Sequence, residues 1–399
     1  MNSMLSLPVA LLLNLFQYLN LNDKKSLSLC CSYLHKIISH PLQWSEARIV
    51  KNHLKSELSF PRFLSIPKYS LLLVLDLSDL KYQFIDQTIA SRFLKYLQSN
   101  TNLKIVNFNN NNLARLPAFP LSSSLVHCQA LSLSSTNLET EQINSILGKC
   151  CGGKYVETVD FSFNDFTFVN LSILSDSILT LRDLNLSYTN LTAAYTQKLM
   201  MSVQNSTIRC LDLSGNDLYD CNFDNISLNQ DLQILKLSHV KLNPEKLDRI
   251  FSNLTLVHHL QQLHLDGSAL GDVDPILLSD AVVRVPLVDM NFCWLYQQHI
   301  EFIFDSITDQ TKVKCLNLSG NHMENVNIDL LLDAMNHLQV LRLEWANLSE
   351  EQFALIIQES EDLKKKQIIL NHFELIDNYV ELHRLAKSNE NIVLNITKD

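Results

Sequence analysis

Between residues 208 and 218 the chain reads Ile-Arg-Cys-Leu-Asp-Leu-Ser-Gly-Asn-Asp-Leu, with apolar residues at the first, fourth, sixth and eleventh places and Asn216 at the ninth. Leu211 and Leu213 are two residues apart, the spacing that puts both side chains on one face of a strand. Asn216 follows where that strand ends. An amide there can satisfy backbone groups that a tight bend leaves unpaired. The same template starts at Leu72, Leu103, Cys128, Val156, Leu181, Ile208, Leu232, Leu260, Val285, Val313 and Leu338, with a degraded copy near Lys365, and successive starts lie 24 to 31 residues apart. Longer and shorter spacings alternate. So does the ninth residue early in the array: Asn111, Thr136, Asn164, Thr189, Asn216. The physical unit is therefore expected to be a pair of repeats.

The longer units carry helix signals. Ser349-Glu-Glu-Gln352 is a capping box before Phe353, Ile356 and Ile357. Asn243-Pro244 is a cap plus a first-turn proline before Leu247, Ile250 and Phe251. Residues 141–147, 193–201 and 298–307 read likewise. The shorter units at 116–120 and 219–228 read as irregular, and 329–335 as a helical exception among them. This template and period resemble the leucine-rich repeat, from Leu72 to about Leu375, and the helical units resemble its intracellular, ribonuclease-inhibitor-like class. The resemblance implies an α/β fold: a leucine-rich-repeat solenoid of about 11–12 repeats, with a parallel concave sheet and a partly helical convex side.

That geometry directs the search for a binding site. The fifth place of each strand points away from the core and collects Asp76, Asn107, Ser132, Asp160, Asn185, Asp212, Lys236, His264, Asp289, Asn317 and Arg342. The eighth, at the strand's end, holds Phe163, Tyr188, His239, Phe292 and Trp345 among small residues. Exposed aromatics in register are candidate hot spots, and the acidic fifth column suits a partner segment carrying Lys or Arg. The alternative is that the aromatics fold over the strand–loop corner and pack locally. The candidate target-binding residues are Asp160, Phe163, Tyr188, Asp212, His239, His264, Asp289, Phe292, Arg342 and Trp345. Late in the array Lys236, His239, His264 and Arg342 are expected to shift the local charge positive.

The N-terminus follows another pattern. The apolar run at 5–15 has no basic residue before Lys24 and no Ala-x-Ala cleavage site, so it does not read as a secretory signal. Asn14, Gln17, Asn20 and Asn22 interrupt it too early for a membrane span. It reads instead as short helices: Leu11, Leu12, Leu15, Phe16 and Leu19 form one stripe, Leu27 and Cys31 another, and Leu34, Ile37 and Ile38 continue the apolar face before Pro41 and Trp44. The order Leu7-Pro8, Leu12, Phe16, Tyr18-Leu19, Asp23, Leu27 and His40-Pro41-Leu42-Gln43-Trp44 resembles an F-box. It departs from that family at Ala10, usually Glu, and at Cys30–Cys31, often Val. The resemblance implies a three-helix F-box that binds the Skp1 adaptor of cullin-based ubiquitin ligases, with Leu7, Pro8, Leu11, Leu12, Phe16 and Leu19 at the positions that meet it. A cap over the first repeat is the other use of such a segment. The expected organisation is F-box at 1–48, linker at 49–70, repeats at 71–375 and a C-terminal cap at 376–399.

Bulk properties narrow the chemistry. The net charge of −10 argues against nucleic acid, which needs a basic stripe. With only 7 Gly in 399 residues, Gly-rich phosphate loops are not expected, and neither G-x-x-x-x-G-K-[ST] nor G-x-G-x-x-G occurs. The 9 Cys lack zinc spacing and mostly occupy strand positions, which suits a reducing compartment, cytoplasmic or nuclear. Asn-x-Ser/Thr sequons such as Asn185 and Asn317 fall in strands, where a glycan would crowd the next strand about 5 Å away. His258, His259 and His264 have no Cys or carboxylate at ligand spacing in the sequence, so no metal site is expected. No nucleophile elbow occurs. The expectation is a chain without catalytic residues or cofactors, a Skp1-type adaptor with its cullin complex and an unknown protein substrate as partners, and no membrane association.

Overall fold

The computed structural model describes residues 8–16, 19, 21–38, 46–48, 72–80, 87–221, 223–224, 226–360, 367–371 and 391–395. Leu7, the His40–Trp44 end of the F-box pattern, the expected linker at 49–70 and most of the C-terminal cap expected at 376–399 lie outside them. The chain divides into two compact units, 1–185 and 186–399. No described helix is long and apolar enough to cross a membrane.

Unit one opens with three short helices: α1 (Val9–Phe16), α2 (Leu21–Cys30) and α3 (Ser32–Ile38). Leu12, Phe16, Leu34 and Ile37 are buried among them, whereas Val9, Leu11 and Leu15 are exposed. The sheet then starts earlier than the template does. Strand β1 (Glu46–Arg48) pairs in parallel with β2 (Val74–Asp76), although Glu-Ala-Arg carries no Leu-x-Leu signature. Next come α4 (Gln87–Ser99), β3 (Ile105–Asn107), α5 (Ala118–Leu125), β4 (Ala130–Ser132), α6 (Thr140–Ile146), β5 (Thr158–Asp160), α7 (Leu171–Ile178) and β6 (Asp183–Asn185). Each strand pairs in parallel with the next, residue for residue.

Unit two repeats the scheme. Its strands are β7 (Cys210–Asp212), β8 (Ile234–Lys236), β9 (Gln262–His264), β10 (Leu287–Asp289), β11 (Cys315–Asn317), β12 (Val340–Arg342), β13 (Gln367–Asn371) and β14 (Ile392–Asn395). Its helices are α8 (Ala193–Val203), α9 (Leu247–Leu254), α10 (Pro275–Val282), α11 (Gln297–Ser306), α12 (Ile328–Met335) and α13 (Glu350–Ser360). Both units are thus leucine-rich-repeat solenoids. The first, fourth, sixth and eleventh places form the core: Ile208, Leu211, Leu213 and Leu218 are all fully buried.

Helices are commoner than expected. Residues 116–120 were read as irregular from their prolines, yet α5 starts there, with Pro117 at its N-cap and Pro120 in its first turn, where no intrahelical N–H is needed. The stretch at 219–228 is irregular as expected, with one 3-10 turn at Ile226–Leu228.

The alternation at the ninth place has a hydrogen-bonding cause. Asn216 donates through Nδ2 to the carbonyls of Leu186 (2.7 Å) and Leu213 (3.0 Å), and its Oδ1 accepts the N–H of Thr189 (3.2 Å) and Leu191 (3.0 Å). Asn321 does the same for Met290, Leu318, Cys293 and Leu295. One amide therefore closes two turns, its own and the preceding one. The preceding repeat needs only a small residue: Thr189 before Asn216 and Cys293 before Asn321. Where Ser268 replaces the Asn, its hydroxyl bonds Leu237 O and Val240 N instead.

A second tie runs through the helix starts. Gln142, His299 and Gln352 each accept a backbone N–H at the cap and donate to carbonyls of the preceding repeat. In His299, Nδ1 accepts the Tyr296 N–H at 3.2 Å, so Nε2 carries the proton donated to Val273 O at 2.9 Å.

Candidate protein-binding face

The eighth residue of each repeat sits where the strand turns toward the helix side. There the backbone adopts a left-handed conformation at Asp79, Asn110, Ser135 and Phe163 in unit one, and at Tyr188, Gly215, His239, Gly267, Phe292, Gly320 and Trp345 in unit two. Glycine costs nothing in this region, but a bulky residue there is an outlier costing about 1–3 kcal/mol. Unit two alternates the two kinds. The rings of Tyr188, His239 and Phe292 each lie over the glycine of the following repeat. A Cβ on Gly215 would stand 2.4 Å from the Tyr188 ring, one on Gly267 2.0 Å from His239, and one on Gly320 2.3 Å from Phe292. The glycines therefore make room for the rings as well as for their own turns.

The two expectations for the aromatics, surface binding and corner packing, are combined here. The Tyr188, His239 and Phe292 rings pack on the neighbouring turn, and Phe163, Tyr188, Phe292 and Trp345 remain about half exposed. The fifth-place residues Asp160, His264 and Asp289 are half-buried on the strands beside them, Asp212 more so, and Arg342 is exposed. The positive shift expected late in the array is not realised as free charge. Lys236 lies 3.8 Å from Asp212, His239 3.6 Å from Asp266, and Arg342 2.8 Å from Glu344. Four carboxylates, Asp212, Asp266, Asp289 and Glu344, thus stand beside two permanent cations, Lys236 and Arg342, on this part of unit two.

Strand pairing also corrects the picture of His264 as standing away from carboxylates. Asp289 is its direct cross-strand partner, and His264, Asp266 and Asp289 each offer a ligand atom within 4.8 Å of the others. Both carboxylates already have donors. Asp266 accepts from Ser238 Oγ, and Asp289 from Asn317 Nδ2 at 2.9 Å and Asn291 N at 3.2 Å. Burial holds the His264 pKa below its ordinary 6.5, against the pull of Asp289.

Where Phe292, Trp294 and Trp345 meet, the face hollows into a cleft of about 300 Å³, lined also by Gly320, His322 and Asn347. An adjoining hollow of about 350 Å³ shares Trp294 and His322 and is edged by Tyr296 and Glu324. Trp294, Tyr296 and His322 were not singled out from the sequence. Two signals could have found them: the alternation of ring and Gly at the eighth place, and Trp294 at a tenth place that elsewhere holds Asn137, Asn190 and Asn347.

The nine Cys are free thiols. Burial raises Cys128, Cys150 and Cys221 to about 12, so these are packing residues without nucleophilic character. At the N-terminus, Leu12 and Phe16 face inward, Leu19 is half-buried, and Pro8 and Leu11 are exposed.

No protein-family description matches this chain, and no curated protein matches it. Among solved structures it is similar to an internalin, InlF, from Listeria monocytogenes, at 15% identity over 76% of this chain and 82% of that one, with a TM-score of 0.48. It is also similar to the leucine-rich repeat-containing protein LegL7 from Legionella pneumophila, at 18% identity over 83% of this chain and 95% of that one, with a TM-score of 0.41.

Proposed function

We propose that this chain is a non-catalytic receptor that holds a client protein on the open face of its repeats. The observation that carries the reading is the eighth column of unit two. Tyr188, His239, Phe292 and Trp345 are held in a backbone conformation that only glycine adopts freely, and Tyr188, Phe292 and Trp345 stay half exposed. Folding alone would favour Gly or Asn at these turns. Retained strain with exposed aromatic surface is the mark of a binding surface.

In the fuller form of the proposal, residues 1–48 are an F-box and the chain is the substrate-recognition subunit of a Skp1–cullin–F-box ubiquitin ligase, acting in the cytoplasm or nucleus. The F-box resemblance supports this, as do the exposed apolar side chains of Val9, Leu11 and Leu15 on α1. Catalysis is then proximity: two coupled modules raise the local concentration of the client's lysines at the ligase. The test is size-exclusion co-elution of the full chain with purified Skp1. A complex that Leu11→Asp and Leu15→Asp abolish, with circular dichroism unchanged, is the expected result. Separate elution of the wild-type chain and Skp1 sinks the ligase form and leaves a non-ligase binding scaffold.

A further inference from the structure

We propose that the cleft between Phe292, Trp294 and Trp345 is a pocket for an arginine side chain of an extended partner segment. This deepens the reading of the face as a protein-binding surface and rests on it. The cleft is built by the eighth and tenth residues of three successive repeats: Phe292 with Trp294, Gly320 with His322, and Trp345 with Asn347. The middle repeat supplies a glycine floor, and the outer two supply aromatic walls. A Cβ on Gly320 would fall within 2.3 Å of the Phe292 ring, so the floor stays open only as glycine. All three aromatic residues hold left-handed φ angles, 52° at Phe292 and 58° at Trp294 and Trp345. Trp294 is 71% exposed, Phe292 50% and Trp345 48%. Three large apolar side chains are thus kept partly in water, each at a backbone cost, around one hollow.

Charge selects the occupant. Aromatic faces attract cations and repel anions. None of the residues lining the cleft or the adjoining hollow is Lys or Arg, and Glu324 edges the latter. The surrounding face carries more carboxylate than permanent cation, as counted above. The equivalent three-repeat site at Tyr188, Gly215 and His239 differs: its tenth places are Asn190, Asp217 and Lys241, and Lys241 already lies 5.3 Å from the Tyr219 ring centre. That site carries a lysine at a tenth place, whereas the Phe292 cleft is lined by none, so a cation there would come from the partner. A guanidinium fits better than an ammonium. It is flat, weakly hydrated and stacks on indole, whereas an ammonium gives up more hydration in a cleft that has no carboxylate of its own.

The chain reports on this site directly, because two of its 3 Trp form the walls. In a full-length Trp44→Phe variant, all tryptophan emission comes from Trp294 and Trp345. Capped pentapeptides Gly-Gly-X-Gly-Gly, with X as Arg, citrulline, Lys, Glu or Pro, are titrated against it. Expected are a saturable emission change with Arg and a dissociation constant about tenfold weaker, or worse, for citrulline, its neutral isostere. Phe292→Leu is expected to weaken the Arg peptide by a similar factor while the unfolding midpoint confirms that the variant is folded. Citrulline or Pro binding as tightly as Arg, or no saturable change with Arg, overturns the proposal. The peptide assay uses neither Skp1 nor a client. A flat series therefore removes the arginine pocket alone, and failure of Skp1 co-elution removes the ligase form alone.

Discussion

Two columns of unit two stand one residue apart in sequence and have opposite physical roles. The ninth column, with Asn216, Ser268 and Asn321, is buried, polar and fully bonded, and it closes the turns of two repeats at once. The eighth, with Tyr188, His239, Phe292 and Trp345, is half in water and strained. The two kinds fall in alternate repeats: Gly215, Gly267 and Gly320 precede Asn216, Ser268 and Asn321, whereas the rings precede Thr189, Val240, Cys293 and Ala346, and the eighth residue is left-handed in both. The fold therefore fixes the conformation of the eighth residue but not its identity. Glycine would satisfy the turn everywhere, and the rings occupy alternate places where glycine would serve. The comparison teaches that the ninth column carries stability and the eighth carries recognition.

The largest test of that division lies in the ninth column. Asn321→Ala removes the buried side-chain partner of Met290 O and of the Cys293 and Leu295 N–H groups, while Leu318 O keeps the Asn321 backbone N–H at 3.3 Å. Each orphaned buried group costs about 1 kcal/mol or more, so a loss of about 3 kcal/mol is expected. Hydrogen exchange is the appropriate measurement, because repeat arrays unfold locally. Protection should fall most from β10 to β12. A uniform small change along the chain would break the comparison.

Next in size is Gly320→Ala. The methyl group meets the Phe292 ring and the residue keeps a φ of 69°, so both columns are disturbed through one atom. About 2 kcal/mol is expected from the displaced ring and the left-handed alanine together. The Arg peptide should lose its saturable signal, since the cleft floor is filled. Unchanged peptide binding would show that the ring does not define the cleft.

Trp345→Gly sharpens the contrast from the other side. It removes exposed aromatic surface and relieves the φ of 58°. The two effects oppose, and the unfolding midpoint should shift by no more than about 1 kcal/mol in either direction. Binding of the Arg peptide, read from the Trp294 emission, should weaken about tenfold. A large loss of stability would place Trp345 with the ninth column and remove the basis for treating the eighth as the recognition surface.

Much of this was legible from the chain. The apolar pairs at the fourth and sixth places located β2 to β12 because the strand period is two and every repeat buries the same face. The capping signals at Asn243 and Ser349 located helix starts. Helix α5 was missed because Pro117 and Pro120 read as breakers, although both sit where a helix start tolerates them. Strand β1 was missed because an edge strand can be recruited by backbone pairing alone, without an apolar signature. The eighth column was visible as a row of aromatics, but its left-handed backbone was not, since no residue-type rule places Phe or Trp there. The cleft was illegible for a further reason. Its walls come from three repeats, and pairing of Trp294 with Trp345 across Gly320 depends on strand spacing. The charge balance was misread because Lys236 and Arg342 were counted without their cross-strand or same-face partners.

The smallest expected effect is a pH dependence on the strand face beside the two columns. His264 lies at a fifth place, and burial lowers its pKa below 6.5, with Lys236 acting in the same direction and Asp289, Asp266 and Asp212 opposing. The folded chain therefore binds that proton less readily than the unfolded chain does. Above pH 6.5 both states leave the ring neutral and the group is without effect on stability. As pH falls below 6.5 the unfolded state takes up the proton first, and stability declines until the folded pKa is passed. The ring is partly solvated, so the effect is modest. The informative quantity is a difference: the denaturation midpoint at pH 7.5 minus that at pH 5.5, in the wild type and in His264→Gln. The variant should lose less on acidification. An equal loss in both would mean that the cross-strand Asp289 compensates the burial of His264 fully, leaving the strand face electrostatically neutral toward protons and placing all acid sensitivity elsewhere in the chain.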